Sequence, residues 1–374
     1  MNWYGGSLFY GTLYPVQKNN HKNIAYHQLH NGRYWLNSRG FFLLIDYGVP
    51  LFVDQNSIYA NHLCITAKNE SPYSTVNKTF NFKYKIGFSS NAKRTQMNVV
   101  NRYFRKSWGY PDENRIRNPS YTPTYVFNHA YTEDTYKNYT NTIAKSGLKI
   151  GALSFEVHYT TCFGSNKVDT KRFPNMKQLL TDLRNKYQGI KLFFKLHPFI
   201  ETACLPNFQI ATKNKYLMEL INGTTTDNGV YNSHSRNSSE LDFSNPDTSK
   251  WLKTELIRLK QETGVDGFEF AGYYNFSLYP NTHQDKSISL DLAAFNYYKL
   301  EDEFRHKLRF RDGLGAQNLN ELTNPKTFFV HLPMSHDWPN IKMDIIQIIH
   351  GNIYGFKDFI RRNYLFNFHN IKKY

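Results

Sequence analysis

Long apolar runs are missing from this sequence. No uninterrupted stretch approaches the roughly 18 residues that suggest a bilayer-spanning helix, so no membrane span is expected. Met1-Asn2-Trp3-Tyr4 also lacks the basic start and apolar stretch of a leader peptide. Cysteine is sparse: Cys64, Cys162 and Cys204 are too few for a disulfide scaffold and lack the paired spacing of a structural zinc site. One bridge with a thiol left over and three buried thiols are both open. Acidic residues are in deficit, 30 against 46 basic ones, for a net charge of +16. Such a balance attracts polyanions through a long-range field and specifies no site by itself. The basic residues are scattered, with short knots such as Arg102 to Lys106 separated by neutral sequence. That distribution suits a solvated basic surface better than a nucleic-acid groove, and no nucleic acid is expected as partner.

What is present is length and aromatic mass. A chain of 374 residues buries a large core and holds one large domain plus a smaller one. Aromatic residues make up 17%, which fits a sugar-stacking surface and also fits a coding bias toward Asn, Lys and Ile. Asn69, Asn77, Asn138, Asn222, Asn237 and Asn275 each begin an N-glycan acceptor triplet. These point toward a secretory-pathway lumen or an extracellular setting, although chance supplies several in an Asn-rich chain.

The first hundred or so residues read as strands. Arg33 to Asp46, Pro50 to Val53, Leu63 to Thr66 and Phe80 to Ile86 are short apolar or alternating runs between Gly, Pro, Asn and Ser turns. An antiparallel β-sandwich over residues 1–118 is expected. A Pro- and charge-rich connector around Tyr110 to Pro123 then marks a change of style. Beyond it, helical spacing at Thr132 to Ser146, Pro174 to Tyr187, Pro246 to Thr263 (capped by Asn245), Ser289 to His306 and Ile341 to Ile353 alternates with strands. Those strands are Ile150 to Tyr159, Ile190 to Phe199, Val265 to Phe270, Leu308 to Arg311 and Thr327 to Pro333. Such alternation implies a parallel sheet with crossover helices. About six βα units are legible where a closed barrel takes eight. Either further strands lie around Tyr121 to Phe127 and Tyr364 to Phe368, or the barrel of residues 119–374 is C-terminally incomplete.

The segment Leu241-Asp242-Phe243-Ser244-Asn245-Pro246, then a helix, then Gly264-Val265-Asp266-Gly267-Phe268-Glu269-Phe270-Ala271-Gly272 resembles the signature of glycoside hydrolase family 31. Supporting matches are Trp3-Tyr4-Gly5-Gly6, Tyr34 to Gly40, Arg311 to Gln317 and His331 to Trp338, which run in the family's order through nearly the whole chain. The resemblance implies a (β/α)8 (TIM) barrel of α/β class and retaining hydrolysis of α-glycosides. That chemistry uses two carboxyl groups at strand tips, one as nucleophile and one as proton donor.

The resemblance also shows what has been lost. The family's strand reads roughly Phe-Lys-Phe-Asp-Ala-Gly-Glu, and here Ala271 fills the nucleophile slot. Glu269, two residues earlier, shares its side of the strand by period-two alternation. It is either a displaced nucleophile or a buried carboxylate paired to a cation. The acid's slot falls on Met334, His336 or Asp337, of which His336 and Asp337 can donate a proton. Around Glu156 and His158 the family's acids are gone while Cys162-Phe163-Gly164 survives, and His197 stands where the family usually has Thr. His158 and Cys162 alone make no metal site. Neither a metal nor another cofactor is expected.

The expectation is a catalytically degenerate carbohydrate-binding pseudoenzyme with an oligosaccharide or glycan as partner. By family position its pocket is built from Trp3, Asp242, Arg311 and Trp338. Two alternatives stand beside it: an active retaining α-glycosidase using Glu269 with His336 or Asp337, and a basic polyanion-binding protein. The oligomeric state is not legible.

Overall fold

The computed structural model describes residues 1–7, 15–18, 20–25, 31–46, 48–70, 73, 81–103, 118, 120–123, 131–220, 238–270, 281–282, 293, 296–297, 299–300, 309–312 and 327–330. The chain divides into two compact units. One comprises Met1–Tyr110, Lys286–Leu292 and Asp312–Tyr374; the other comprises Pro111–Asp285 and Ala293–Arg311.

In the first unit the strands are β1 (Trp3–Ser7), β2 (His21–Ala25), β3 (Asn31–Asn37), β4 (Phe41–Ile45), β5 (Leu51–Gln55), β6 (Leu63–Ala67) and β7 (Tyr84–Phe88). They form two sheets, ordered β1-β3-β4-β7 and β2-β5-β6, with every pairing antiparallel. Alternation along β3 and β4 divides their side chains between two cores. Trp35 and Ile45 join Val49, Leu51 and Val53, so the two sheets share one apolar cluster. Tyr34, Leu36, Phe42 and Leu44 point the other way and pack with Val99.

Val99 belongs to a helix, α1 (Ala92–Tyr103), in a region whose composition had suggested strands. The helix starts where Asn91 Oδ1 accepts the Arg94 N–H at 2.9 Å, an N-cap bond that strand propensity does not report.

In the second unit β8 (Ser120–Tyr121), β9 (Ala152–Phe155), β10 (Lys191–Leu196) and, later, β14 (Gly267–Phe270) lie side by side and parallel. Between them come α2 (Glu133–Lys145), α3 (Met176–Lys186), α4 (Asn207–Lys213) and α5 (Pro246–Thr263). The shorter strands are β11 (Phe199–Glu201), β12 (Glu219–Leu220), β13 (Ser238–Glu240) and β15 (Asn281–Thr282). β11 pairs with β13 and β12 with β15, all antiparallel.

Local chemistry fixes the helix ends. Thr132 and Thr135 make a reciprocal capping box at α2. The Asn245 side chain accepts from the Asp247 N–H ahead of Pro246 at the first position of α5, and Gly264 ends that helix in the left-handed conformation (φ 74°). The expected strand from Ile150 to Tyr159 stops at Phe155, and Val157–Tyr159 turns into a single 3-10 turn. The strands expected near Leu308 and Thr327 occur as β16 (Arg309–Asp312) and β17 (Thr327–Val330). Among the described residues neither joins the parallel sheet. The helix expected at Ile341 to Ile353, most of that at Ser289 to His306, and the strand at Tyr364 to Phe368 lie outside the described residues.

Candidate active-site region

The parallel register decides what meets at the strand tips. Phe193 of β10 is level with Ser154 of β9 and Gly267 of β14, and Lys195 is level with Glu269. Phe155 and Phe194 take the other face. There Phe155 stacks on Tyr136 of α2 at 4.2 Å and Phe194 on Tyr159 at 4.2 Å, so that face belongs to the helical layer. Ser154, Lys195 and Glu269 therefore face away from the helices, toward the barrel axis.

On that inner face the charges are engaged. Ser154 Oγ donates to Glu269 Oε2. Lys195 Nζ lies 3.3 Å from Glu156 Oε1, both side chains being largely buried (11% and 8% exposed). The Glu156 N–H donates to the Tyr136 hydroxyl at 2.8 Å. Glu269 is a buried carboxylate with a hydroxyl donor, level with a lysine on the adjacent strand.

Above this layer, beyond the ends of β9 and β10, runs a row of rings. Tyr131 stacks on His158 at 4.5 Å, Phe163 meets His158 edge-on at 5.7 Å and His197 at 4.8 Å, and His197 contacts Phe199 at 5.6 Å. The row is held from behind by the disulfide Cys162–Cys204, which leaves Cys64 as the free thiol. Phe163 and Glu201 add a two-way clamp: the Phe163 N–H donates to Glu201 Oε2 at 3.1 Å, and the Glu201 N–H to the Phe163 carbonyl at 3.0 Å. Gly164 is required here. Its φ is +86°, and a Cβ would come within 2.9 Å of the Phe199 carbonyl oxygen.

His197 Nδ1 accepts the Phe199 N–H at 3.4 Å, which places the imidazole proton on Nε2. Burial, then the Lys195 charge, then His158 hold its pKa down at about 3, so the ring is neutral. The unfolded histidine titrates near 6.5, so stability is complete above that pH and falls as pH drops toward 3. By pH 5 this single group costs about 2 kcal/mol. Urea unfolding of the wild type and His197→Asn between pH 7 and pH 5 is expected to show that loss in the wild type only. Parallel curves for the two proteins would contradict the assignment.

Asp242 is fully buried, and its Oδ1 accepts the Ser244 N–H at 2.9 Å, shaping the turn into α5. Two residues before it, Glu240 is buried in β13. Burial, and then the Asp242 charge, push the Glu240 carboxyl well above its ordinary range. Trp3 sits in the first unit, half-buried, with its ring edge-on to Phe41 at 5.8 Å and its backbone N–H donating to Gln17 Oε1. Arg311 lies on β16, its side chain outside the described residues; Ala271, His336, Asp337 and Trp338 lie outside them altogether. Of the residues singled out from sequence, the structure brings Glu156, His158, Cys162, His197 and Glu269 to one end of the parallel strands. Ser154, Lys195, Tyr131 and Glu240 were missed. A lysine in the inner phase of Lys191-Leu192-Phe193-Phe194-Lys195-Leu196 was the signal available for one of them. Among the described residues no group of three or more metal-ligating side chains is clustered.

A parallel sheet with crossover helices, and polar side chains gathered beyond its strand ends, is the layout of barrel enzymes. Residues 119–301 match the model of the glycosyl hydrolases family 31 TIM-barrel domain. Over those residues the chain is similar to the barrel domain of that family. It is 21% identical over 299 residues to the myogenesis-regulating glycosidase of Mus musculus, covering 77% of this chain and 40% of that protein. The family 31 fold extends to solved structures. A family 31 α-xylosidase from a soil metagenome, complexed with xylose, superposes with a TM-score of 0.70 at 13% identity, over 94% of this chain and 50% of its own. A family 31 dextranase of Flavobacterium johnsoniae, complexed with isomaltotriose, gives 0.68 at 13% identity, over 94% and 44%. The chain thus spans about half or less of the length of these family 31 relatives.

Proposed function

We propose that this chain is a family 31 carbohydrate-binding pseudoenzyme that recognises an oligosaccharide or glycan without cleaving it. The observation that carries the reading is the state of the inner-face carboxylates. Glu269 is bonded by Ser154, Glu156 is paired with Lys195, and the position beyond Phe270 is filled by Ala271. Retention requires a carboxylate able to attack the sugar carbon and a second able to protonate the leaving oxygen. A neutral His197 beside aromatic faces offers hydrogen bonding and stacking instead. Trp3, Asp242, Arg311 and Trp338 remain the family-derived candidates for contact with sugar, and His336 and Asp337 for a surviving proton donor.

Release of p-nitrophenol from α-glucosides and α-galactosides, followed for the wild type and Glu269→Gln, tests the loss of chemistry. Both are expected to run at the uncatalysed rate. Release that Glu269→Gln lowers a hundredfold or more would instead establish a relocated active site.

We further propose that residues 1–118 form an N-terminal β-sandwich and that the barrel begins at 119. The shared apolar cluster of the two antiparallel sheets supports the first part. The Cys162–Cys204 bridge favours maturation in an oxidising compartment, where such bonds persist. The acceptor Asn138, exposed on α2, is compatible with a lumenal or extracellular setting. Thiol counting on the denatured chain from its source is expected to find one reactive thiol; three would overturn the compartment assignment.

A further inference from the structure

Of the acceptor triplets in the sequence, those beginning at Asn77, Asn222, Asn237 and Asn275 start outside the described residues. Asn69, just after β6, is half-buried. Asn138 is exposed, and its whole triplet, Asn138-Tyr139-Thr140, lies within α2. Exposed residues recur along that helix at Asp134, Asn138, Thr142 and Lys145, the three- and four-residue spacing of one outward stripe. None of them is apolar. Tyr136, Thr140 and Ile143 are buried on the other side. The Asn138 backbone carbonyl accepts the Thr142 hydroxyl at 3.0 Å, a bond that does not involve the carboxamide.

The third residue of the triplet is placed differently. Thr140 is fully buried, and its hydroxyl is shared between the carbonyls of Tyr136 and Lys137, both at 3.0 Å. Two residues along a helix are turned by about 200° around its axis, so the carboxamide and the hydroxyl of this triplet face opposite ways. A transferase that must hold both groups in one site cannot use the folded helix.

We propose that Asn138 carries an N-linked glycan and that it is attached before α2 packs against the parallel sheet. The proposal rests on the oxidising-compartment reading given above. The donor is a lipid-linked oligosaccharyl diphosphate. Asn138 Nδ2 bonds to the anomeric carbon, the bond from that carbon to the phosphate oxygen breaks, the lipid diphosphate leaves, and the amide proton passes to a base of the transferase. Thr132 caps α2, so Asn138 lies about 9 Å along the helix from that end. Tyr131 of the ring row adjoins the cap. The glycan therefore stands on the outer face of the helical layer, clear of the rings.

The test is peptide mapping of the chain from its source, alkylated without reduction, after release of N-glycans by peptide N-glycosidase in heavy-oxygen water. Asn138 is expected to be recovered as aspartate carrying heavy oxygen. Asn138→Gln, expressed in the same cells, should lose the mobility shift of one glycan; the position is exposed, and an unchanged thermal midpoint is the control for folding. Unmodified Asn138 in protein whose Cys162–Cys204 bridge has formed would overturn the glycan and leave the compartment reading standing. Unmodified Asn138 with Cys162 and Cys204 both alkylated would overturn the two together. Pulse labelling reads the order of events: the glycan should be present at the end of the pulse, and chains skipped then should stay unmodified through the chase. Addition during the chase to chains already bridged would contradict attachment before folding.

Discussion

Lys195→Met is expected to destabilise the barrel unit by about 3–5 kcal/mol, the cost of breaking a buried pair by removing one partner. Lys195 contacts Glu156 at 3.3 Å with both side chains largely buried, and it stands level with Glu269 on the next strand. Without the ammonium group, Glu156 is left as a carboxylate in a poorly solvated place and Glu269 loses the nearby positive field. Combining Lys195→Met with Glu156→Gln should cost less than the sum of the two single changes, because both act on one ion pair. Urea unfolding of the four proteins measures this coupling. A loss below about 1 kcal/mol in Lys195→Met would mean that the pair is solvated and organises nothing.

Removing the Cys162–Cys204 bridge with Ser at both positions should cost about 4 kcal/mol on chain-entropy grounds, given a sequence separation of 42 residues. The consequence reaches the ring row, since Phe163 follows Cys162 directly and touches both imidazoles. Affinity for sugar should fall along with stability. A ligand affinity unchanged in the double Ser protein would separate the disulfide from the site. Substituting Cys64, which is not bridged, serves as the control and should leave affinity untouched.

Much of this architecture was legible where short-range chemistry governs it. The Asn245-Pro246 start of α5 and the Thr132 start of α2 are written in neighbouring residues, and the structure places both helices there. The failures have local causes too. Helix α1 lies inside the expected sandwich range, beyond its last expected strand at Phe80 to Ile86, and begins at the Asn91 cap. The site was legible in part. Glu269 and His197 stood out through the family pattern, but Lys195 and Ser154 acquire meaning only through the parallel register. That register brings Ser154 into hydrogen-bond contact with a residue 115 positions away. No pattern of two or three neighbouring residues encodes such a pairing. No neighbouring pattern in the sequence marks Glu240. Its raised pKa follows from burial beside Asp242, a property of the folded chain alone.

The most direct test is isothermal titration of the folded chain with a panel of α-linked glucosides and galactosides, with p-nitrophenyl release followed on the same sample. Saturable heat with at least one sugar and no release above the uncatalysed rate is the predicted result. Sustained release that disappears in Glu269→Gln would contradict the central claim and make the chain a working glycosidase.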